Sequence, residues 1–240
     1  MPKIVYIGND KWYRCLECLV GLEGVDIVHV FIPKKSPKLI ELCENNNYDF
    51  TFVKNINEHY QLISKMSFDL FVVMGHQFLL KEDLLRLGEG IGFHPSMLPR
   101  RRGRAPINWA IIDGLEEMGV SLFYLDKGVD NGNIIFQSVF PITDKDTAAS
   151  LIIKISELVV NNLPALLLNW PDIPEITQDE NQASYTVRRN PSDGEITTNM
   201  TALEAERLVR ALNGPYPSAY IVMENGEKLY INEASINEFD

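Results

Sequence analysis

The segment 68–75, FDLFVVMG, decides the fold class, because it is an almost unbroken apolar run closed by a glycine. A strand of this kind is typical of a parallel sheet that is covered by helices on both faces. Similar β-rich runs lie on either side of it in the sequence: KIVYIG (3–8), VDIVHVFI (25–32), DFTFVK (49–54) and GIGFH (90–94). The sequence therefore predicts a sheet whose strands are largely parallel and buried.

Between these strands the apolar residues recur at helical spacing. The predicted helices are 11–22, 36–47, 56–66 and 81–88. This alternation predicts an α/β fold with a doubly wound, mostly parallel, Rossmann-like sheet. In such sheets, ligands bind beyond the carboxyl ends of the strands. His94, the loop 8–12 and the stretch 75–78 are expected to meet at that edge.

The central part of the chain continues the alternation. The predicted elements are a helix at 105–114, strands at 119–126 and 134–142, and a long helix at 146–170. Asp146 is expected to be the N-cap of the long helix. Pro164 is expected to kink that helix or to split it in two, because proline cannot donate the helical hydrogen bond.

The proline- and acid-rich stretch 171–182 indicates a domain boundary. It predicts an N-terminal domain over 1–175 and a small α+β subdomain over 182–240. The subdomain is predicted to contain a capped helix at 201–214 and a hairpin at 219–234 that turns at an Asn-Gly pair.

The composition is that of a globular protein, 45% hydrophobic and 23% charged. A net charge of -11 disfavours nucleic acid as a partner, because such binding rests on basic side chains. Neither a signal peptide nor a membrane span is expected, since strand 3–8 begins at once and the apolar stretch 151–168 contains charged and amide side chains. Cys15, Cys18 and Cys43 favour core packing in a reducing cytoplasm over a disulfide or zinc framework.

His94 ends the predicted strand 90–94 and precedes a loop rich in proline and arginine. A histidine at a strand end can simply cap backbone groups. The loop 127–133 offers a second interpretation, since Asp130 lies there between two glycines that let the backbone bend around a ligand. A neighbouring Asp orients an imidazole and stabilises its charged form, which suits proton transfer or stabilisation of an oxyanion. Spacing alone leaves both interpretations open.

Two coupled segments carry a family resemblance. FHPSMLPRRRGRAPINWAIIDG (93–114), followed by GVSLFYLDKGVDNGNII (119–135), resembles the 10-formyltetrahydrofolate-dependent formyltransferases. This family includes the methionyl-tRNA, glycinamide ribonucleotide and sugar N-formyltransferases. The resemblance covers roughly residues 1–170, and the segments 187–196 and 208–221 resemble the C-terminal part of these enzymes.

The resemblance implies transfer of the formyl group from 10-formyltetrahydrofolate, a co-substrate, to an amine, with no metal. It implies that 1–175 is the catalytic domain and that His94 and Asp130 are the catalytic pair. The pterin is implied to lie against main chain at the carboxyl edge of the sheet. The residues implied there are Gly75, His76, Gln77, Phe78, Leu79, Leu80, Asp126, Gly128 and Val129.

One position departs from the family pattern. The asparagine that stands two residues before the catalytic histidine, and that helps to hold the oxyanion, is Gly92 here. His76, Gln77 and Asn108 are the side-chain candidates to replace it, with a backbone N–H or a water as the other option. A folate-binding relative with weak catalysis is therefore one alternative function.

The C-terminal segment bears on the acceptor. Residues 171–240 contain five basic side chains against thirteen acidic ones, which is a poor surface for tRNA phosphates. Within the family this favours a nucleotide-linked amino sugar, such as a 4-amino-4,6-dideoxy sugar for lipopolysaccharide O-antigen or another surface polysaccharide. Methionyl-tRNA formyltransferase is the alternative. A homodimer is expected, with the hairpin 219–234 as a possible edge.

Two loops supply the candidate residues for binding this acceptor. Basic side chains there are expected to meet a diphosphate, because arginine matches phosphate oxygens with paired hydrogen bonds. Trp12 is expected to pack on a sugar or base, and helix-core packing is the alternative for it. A solvated loop is the alternative for the arginines. The candidates are Asn9, Lys11, Trp12, Arg14, Arg102 and Arg104.

Overall fold

The computed structural model describes residues 1–236, so residues 237–240 of the predicted subdomain lie outside the described part. The strands, in chain order, are β1 (Lys3–Gly8), β2 (Asp26–Ile32), β3 (Phe50–Phe52), β4 (Leu70–Met74), β5 (Glu89–His94), β6 (Arg102–Gly103), β7 (Glu117–Tyr124), β8 (Ile134–Pro141), β9 (Tyr185–Thr186), β10 (Ala219–Val222) and β11 (Lys228–Ile231). The helices are α1 (Arg14–Glu17), α2 (Pro37–Asn45), α3 (Tyr60–Ile63), α4 (Glu82–Leu85), α5 (Pro106–Ile112), α6 (Ala148–Asn169) and α7 (Ala202–Leu212).

The central sheet has seven strands in the order β3-β2-β1-β4-β5-β7-β8. The first five are parallel, as the sequence predicted. The pairs β5–β7 and β7–β8 are antiparallel, which the strand pattern did not specify. Because β7 is antiparallel to β5, Tyr124 at its end pairs with Ile91, and the loop that follows turns back along β5 to bring Asp130 to His94.

Strand β4 shows why the sheet is buried on both faces. Leu70, Val72 and Met74 point into one core, which α1, α2, α5 and α6 cover. Phe71 and Val73 point into the other core, beneath α3 and α4. The side chains of a strand alternate between faces, so a continuous apolar run supplies both cores at once.

The helix predicted at 11–22 is much shorter than its apolar pattern indicated. Asn9 caps a 3₁₀ turn at Asp10–Trp12 by accepting from the N–H of Lys11, and α1 covers only Arg14–Glu17. The chain then runs through turns, and Gly21 adopts a positive φ of 68°. The other N-terminal helices are likewise shorter than predicted.

The long helix α6 is continuous through Pro164, so the predicted split was wrong. Leu163 and Leu167 flank the proline and are fully buried, and this packing holds the helix together across the missing hydrogen bond. Its N-cap is Thr147, one residue later than predicted, in a reciprocal capping box with Ser150. By length and composition alone α6 could span a bilayer, but one of its faces is packed into the larger core.

Asp146 precedes α6 and is almost fully buried. Its carboxylate accepts hydrogen bonds from Lys154 Nζ at 2.8 Å, Ser150 Oγ at 2.8 Å and the Thr143 backbone N–H at 2.8 Å. Burial raises the pKa of Asp146, but these bonds outweigh it and hold the pKa well below its usual range. A carboxylate of this kind stabilises the fold above its unfolded pKa and loses that contribution as the pH falls through the folded one.

We expect Asp146→Asn to lower the free energy of unfolding by about 2 kcal/mol near neutral pH, because charge-assisted hydrogen bonds are lost. The deficit is expected to shrink as the pH falls below about 4, where wild type begins to lose the same contribution. Urea unfolding at neutral pH and in acid measures both. An equal deficit at the two conditions would contradict this account of Asp146.

The C-terminal part packs on the main domain through α7. Leu208, Val209 and Leu212 form a small core with Ala219 of β10. The capped helix predicted at 201–214 is present with its Thr201–Glu204 capping box, and β10 and β11 form the predicted hairpin.

Candidate active site

A pocket of about 470 Å³ lies at the carboxyl ends of β1, β4 and β5. The loops after these strands form its walls together with the loop after β7. Ligands bind in this place in α/β sheets. The pocket brings together most of the residues singled out in the sequence: Asn9, Lys11, Trp12, Gly75, His76, Gln77, Phe78, Leu79, Leu80, His94, Arg104, Asp126, Gly128, Val129 and Asp130.

His94 is the last residue of β5 and is 5% exposed. Its Nδ1 lies 3.4 Å from Oδ2 of Asp130, and its Nε2 lies 2.8 Å from the carbonyl oxygen of Arg101. Both neighbours are acceptors, so the ring is oriented from two sides; a neutral ring donates to one of them, and a protonated ring donates to both. The proximity of His94 and Asp130 that the sequence indicated is present in the structure.

Asp130 is held in an uncommon backbone conformation, with a positive φ of 50°. Its Oδ2, the oxygen that faces His94, also accepts from the backbone N–H of Gly103 at 2.8 Å. Gly132, two residues on, passes so close to β7 that a Cβ there would lie 1.7 Å from the Tyr124 carbonyl oxygen. The tight turn of this loop therefore depends on glycine and aims the carboxylate at the imidazole.

Gly92 lines the same pocket and lies two residues before His94 in β5. A Cβ at this position would lie 2.7 Å from Cδ2 of Leu125. The side chain of Leu125 thus occupies the space into which a longer residue at 92 would extend. Of the three proposed substitutes, His76 and Gln77 line the pocket. Asn108 was a wrong choice, since it is buried and donates to the Ala211 carbonyl at 2.6 Å.

The first wall of the pocket is formed where the loop after β1 meets the loop after β4. The Asn9 side-chain amide donates to the Gly75 carbonyl, and Gly75 has a positive φ of 87°. A Cβ on Gly75 would lie 2.3 Å from Cδ1 of Trp12, so only glycine fits there. Trp12 is itself 4% exposed and packs edge-on against Phe93. It is therefore a core residue whose edge forms part of the pocket wall, as the packing alternative proposed.

Basic side chains surround the mouth of the pocket in an otherwise acidic chain. Lys11 Nζ donates to the Tyr216 hydroxyl at 3.3 Å, and desolvation by the surrounding protein lowers the lysine pKa although the side chain reaches solvent. Arg104 donates to the Gln77 carbonyl at 2.6 Å. Arg189 lies over the Trp109 ring at 5.0 Å, and burial lowers its pKa. With Arg188, which also lines the pocket, they form a positive rim suited to an anion.

Two predicted acceptor residues have structural contacts instead. Arg14 points away toward α6 and pairs with Glu157 at 3.9 Å. Arg102 is completely buried and is held by Gln178, Glu180 and Tyr185. Neither side chain lines the pocket, because the side chains that reach a pocket are decided by tertiary packing and not by proximity in the sequence.

His76 lies on the loop after β4, where its Nε2 accepts from the Ile56 N–H at 3.4 Å. Burial lowers the pKa of His76 to about 4, so the ring is neutral at physiological pH. A histidine with a lowered folded pKa binds its proton less readily when folded, so folding becomes less favourable as the pH falls from the unfolded pKa toward the folded one.

We therefore expect wild type to lose stability between about pH 6.5 and about pH 4, and His76→Gln to lose about 2 kcal/mol less over that range. Urea unfolding of both proteins at several pH values measures the difference. Parallel stability profiles would show that His76 titrates normally in the folded state.

Comparison with known proteins identifies the family. Residues 24–167 match the formyl transferase family model, and residues 189–239 match the model of the formyl transferase C-terminal domain. The chain belongs to the formyl transferase family. The first match covers more than half of the chain and contains both His94 and Asp130.

Known proteins are similar to this one over nearly the whole chain. The chain is 35% identical to the bifunctional polymyxin resistance protein ArnA of Wigglesworthia glossinidia brevipalpis over 235 residues, which are 92% of this chain and 36% of that protein. It thus spans little more than a third of the length of that relative. A 4-N formyltransferase from Francisella tularensis has the same fold, with a TM-score of 0.80, 18% identity and 99% of both chains covered.

A third relative is an N-formyltransferase from Helicobacter canadensis, solved in complex with folinic acid and dTDP-3-aminofucose. Its TM-score is 0.66 at 23% identity, with 88% of this chain and 80% of that chain covered. These likenesses confirm the predicted α/β formyl transferase fold.

Sequence reasoning missed several residues of this formyl transferase pocket. Arg188, Arg189 and Tyr216 reach it from the C-terminal part, and Leu125 lies over Gly92. The segments 187–196 and 208–221 were recognised as family-like, which was the available signal for the first three. Nothing in the sequence pattern indicated that Leu125 faces Gly92.

Proposed function

We propose that the chain is an N-formyltransferase that moves the formyl group of 10-formyltetrahydrofolate to the amine of a nucleotide-linked amino sugar. One observation carries the proposal: the His94–Asp130 pair lies in the pocket of a chain whose residues 24–167 match the formyl transferase family. The Helicobacter canadensis relative, solved with folinic acid and a dTDP-linked amino sugar, supports both ligand classes.

The chemistry of the pair suits formyl transfer. A bond forms between the acceptor nitrogen and the formyl carbon, and the bond between that carbon and the folate nitrogen breaks. The reaction needs a group that stabilises negative charge on the formyl oxygen and one that moves a proton from the amine to the departing nitrogen. His94 is the group we assign to both tasks: Asp130 orients its Nδ1, and its Nε2, which bonds the Arg101 carbonyl here, would exchange that carbonyl for the formyl oxygen of the bound substrate.

The folate co-substrate supplies the formyl group, and the pocket offers residues that fit it. Phe78 and Leu79 present exposed apolar side chains on the loop after β4. Gly75 and Gly128 line two sides of the pocket. An aromatic heterocycle with polar edges is bound well by apolar side chains combined with backbone donors and acceptors.

The positive rim is the part of the pocket that we assign to the acceptor. Lys11, Arg104, Arg188 and Arg189 lie there, while the chain as a whole carries a net charge of -11. A diphosphate brings two negative groups that such a rim can pair, and the nucleotide gives the enzyme binding energy remote from the reacting amine. Placement in the cytoplasm, a homodimer and a role in surface polysaccharide synthesis belong to the same proposal.

Release of tetrahydrofolate from 10-formyltetrahydrofolate tests the substrate class. The panel consists of UDP-, GDP- and dTDP-linked 4-amino and 3-amino sugars, the same sugars without a nucleotide, and methionyl-tRNA. We expect turnover with at least one nucleotide-linked sugar and a much lower kcat/KM for its free sugar. Turnover with methionyl-tRNA alone would replace the proposal by its alternative.

A further inference from the structure

Arg102 is the most heavily bonded side chain near the candidate active site. It is 0% exposed. Its guanidinium donates to both carboxylate oxygens of Glu180, at 2.9 and 2.7 Å, and to the Tyr185 hydroxyl at 3.2 Å. Two of its nitrogens share the side-chain oxygen of Gln178, at 3.1 and 2.7 Å. A buried cation is tolerated only with this degree of pairing.

Gln178 connects this cation to the loop that carries Asp130. While its oxygen accepts from Arg102, its Nε2 donates to the Asp130 carbonyl at 2.9 Å and to the Gly132 carbonyl at 2.7 Å. The side chain is 6% exposed, so water cannot easily replace these bonds. Gln178 thus holds the main chain on both sides of the turn whose carboxylate faces His94.

The segment around Gln178, residues 176–187, which we call the strap, also holds the other loop of the site. Strands β6 and β9 pair in parallel, with Arg102 opposite Tyr185 and Gly103 opposite Thr186. Through this pairing the strap fixes the peptide whose Gly103 N–H bonds Asp130 Oδ2. It also fixes the neighbouring carbonyl of Arg101, because Ser184 Oγ accepts from the Arg101 N–H at 2.9 Å.

We propose that Gln178 is a positioning residue: its amide holds the Asp130 loop so that Oδ2 stays between Nδ1 of His94 and the Gly103 N–H. Gln178 is far along the chain from both the Asp130 loop and the Arg101–Gly103 segment. It is connected to them because the strap packs against both. When kcat is measured, the test of this proposal rests on the proposed function. When the position of Asp130 is measured, the test rests on the geometry alone.

Two substitutions of Gln178 remove its hydrogen bonds to the Asp130 and Gly132 carbonyls, and they differ in whether Arg102 keeps an acceptor. Gln178→Glu keeps an acceptor for the guanidinium, and Gln178→Met keeps the length but no acceptor. Glu180→Gln is the matched control, since Glu180 pairs with Arg102, is 66% exposed at its side chain, and lies outside the Asp130 loop. We expect both Gln178 variants to lower kcat roughly ten- to a hundred-fold, because small displacements of reacting groups have such effects, with KM for either substrate within about two-fold.

Amide hydrogen exchange, followed by NMR, gives a readout that needs no turnover. The Gly103 amide bonds Asp130 Oδ2, so we expect it to exchange about ten-fold faster in both Gln178 variants, and at the wild-type rate in Glu180→Gln. Core amides such as those of Val5 and Val72 serve as the reference for global stability.

The outcomes separate the two proposals. Unchanged kcat and unchanged Gly103 exchange in the Gln178 variants would overturn the positioning role. So would faster exchange at Gly103 that is matched by Val5 and Val72, since that pattern indicates general destabilisation. If the wild-type protein formylates nothing in the panel but Gly103 still responds selectively to Gln178, the positioning role stands and the proposed function fails.

Discussion

Replacement of His94 by alanine is expected to lower kcat for formyl transfer by about a thousand-fold while the protein stays folded. The imidazole lies between Asp130 Oδ2 and the Arg101 carbonyl oxygen, and it is the one group we assign both to the oxyanion and to the proton. The partners of the imidazole lie on loops and not in the strands of the sheet, so we expect alanine to leave the sheet folded. Single-turnover formylation with enzyme in excess measures the chemical step directly.

Asp130→Asn is the companion to this experiment. The amide oxygen can still accept from the Gly103 N–H, but it carries no negative charge toward His94. We expect kcat to fall by about a hundred-fold with little change in melting temperature. If His94→Ala retained kcat within about ten-fold of wild type, the pair would not be the catalytic centre.

Arg102 gives the largest expected effect on stability. Substitution by methionine leaves the buried side-chain oxygen of Gln178 without a donor and removes the hydrogen bonds to Glu180, which together are expected to cost about 3 kcal/mol. Arg104, two residues later, is exposed and its side chain makes one hydrogen bond, to Gln77. We expect Arg104→Met to change the free energy of unfolding by less than about 0.5 kcal/mol and to raise KM for the sugar substrate instead.

Urea unfolding without ligands measures the first effect, and steady-state kinetics measures the second. Arg102 and Arg104 are the same residue type and are close in sequence. Each variant is therefore the control for the effect that the other is expected to have, on stability or on KM. Wild-type stability of Arg102→Met together with a raised KM for the nucleotide sugar would place Arg102 in the acceptor site after all, as its sequence context indicated.

The sheet was predictable because each strand is indicated by the residues of its own short segment. An apolar run such as 68–75 is long enough to bury both faces of a strand, and regular alternation with helices leaves few topologies. The antiparallel direction of β7 and β8 was not predictable in this way, since direction depends on the connection and not on the strand itself. Helix lengths were overestimated at 11–22, where turns take up residues with a helical pattern.

The candidate site was predictable where motif and strand end coincide. The strand end and the glycine-bounded loop made His94 and Asp130 candidates, and the resemblance to the formyltransferases implied that they are the catalytic pair. Arg102 and Arg104 could not be told apart, because burial of Arg102 depends on Glu180 and Tyr185 in a distant segment. The role of Gln178 has no signal in the sequence, since its partners are backbone carbonyls and an arginine that are far away along the chain.

The central claim is that this chain transfers a formyl group to a nucleotide-linked amino sugar. Its most direct test is mass spectrometry of the sugar after incubation with the protein and 10-formyltetrahydrofolate, with His94→Ala run in parallel. The account predicts a nucleotide sugar heavier by one formyl group with the wild-type protein and a trace at most with the variant. An unmodified sugar across the UDP-, GDP- and dTDP-linked panel, or equal formylation by His94→Ala, would contradict it.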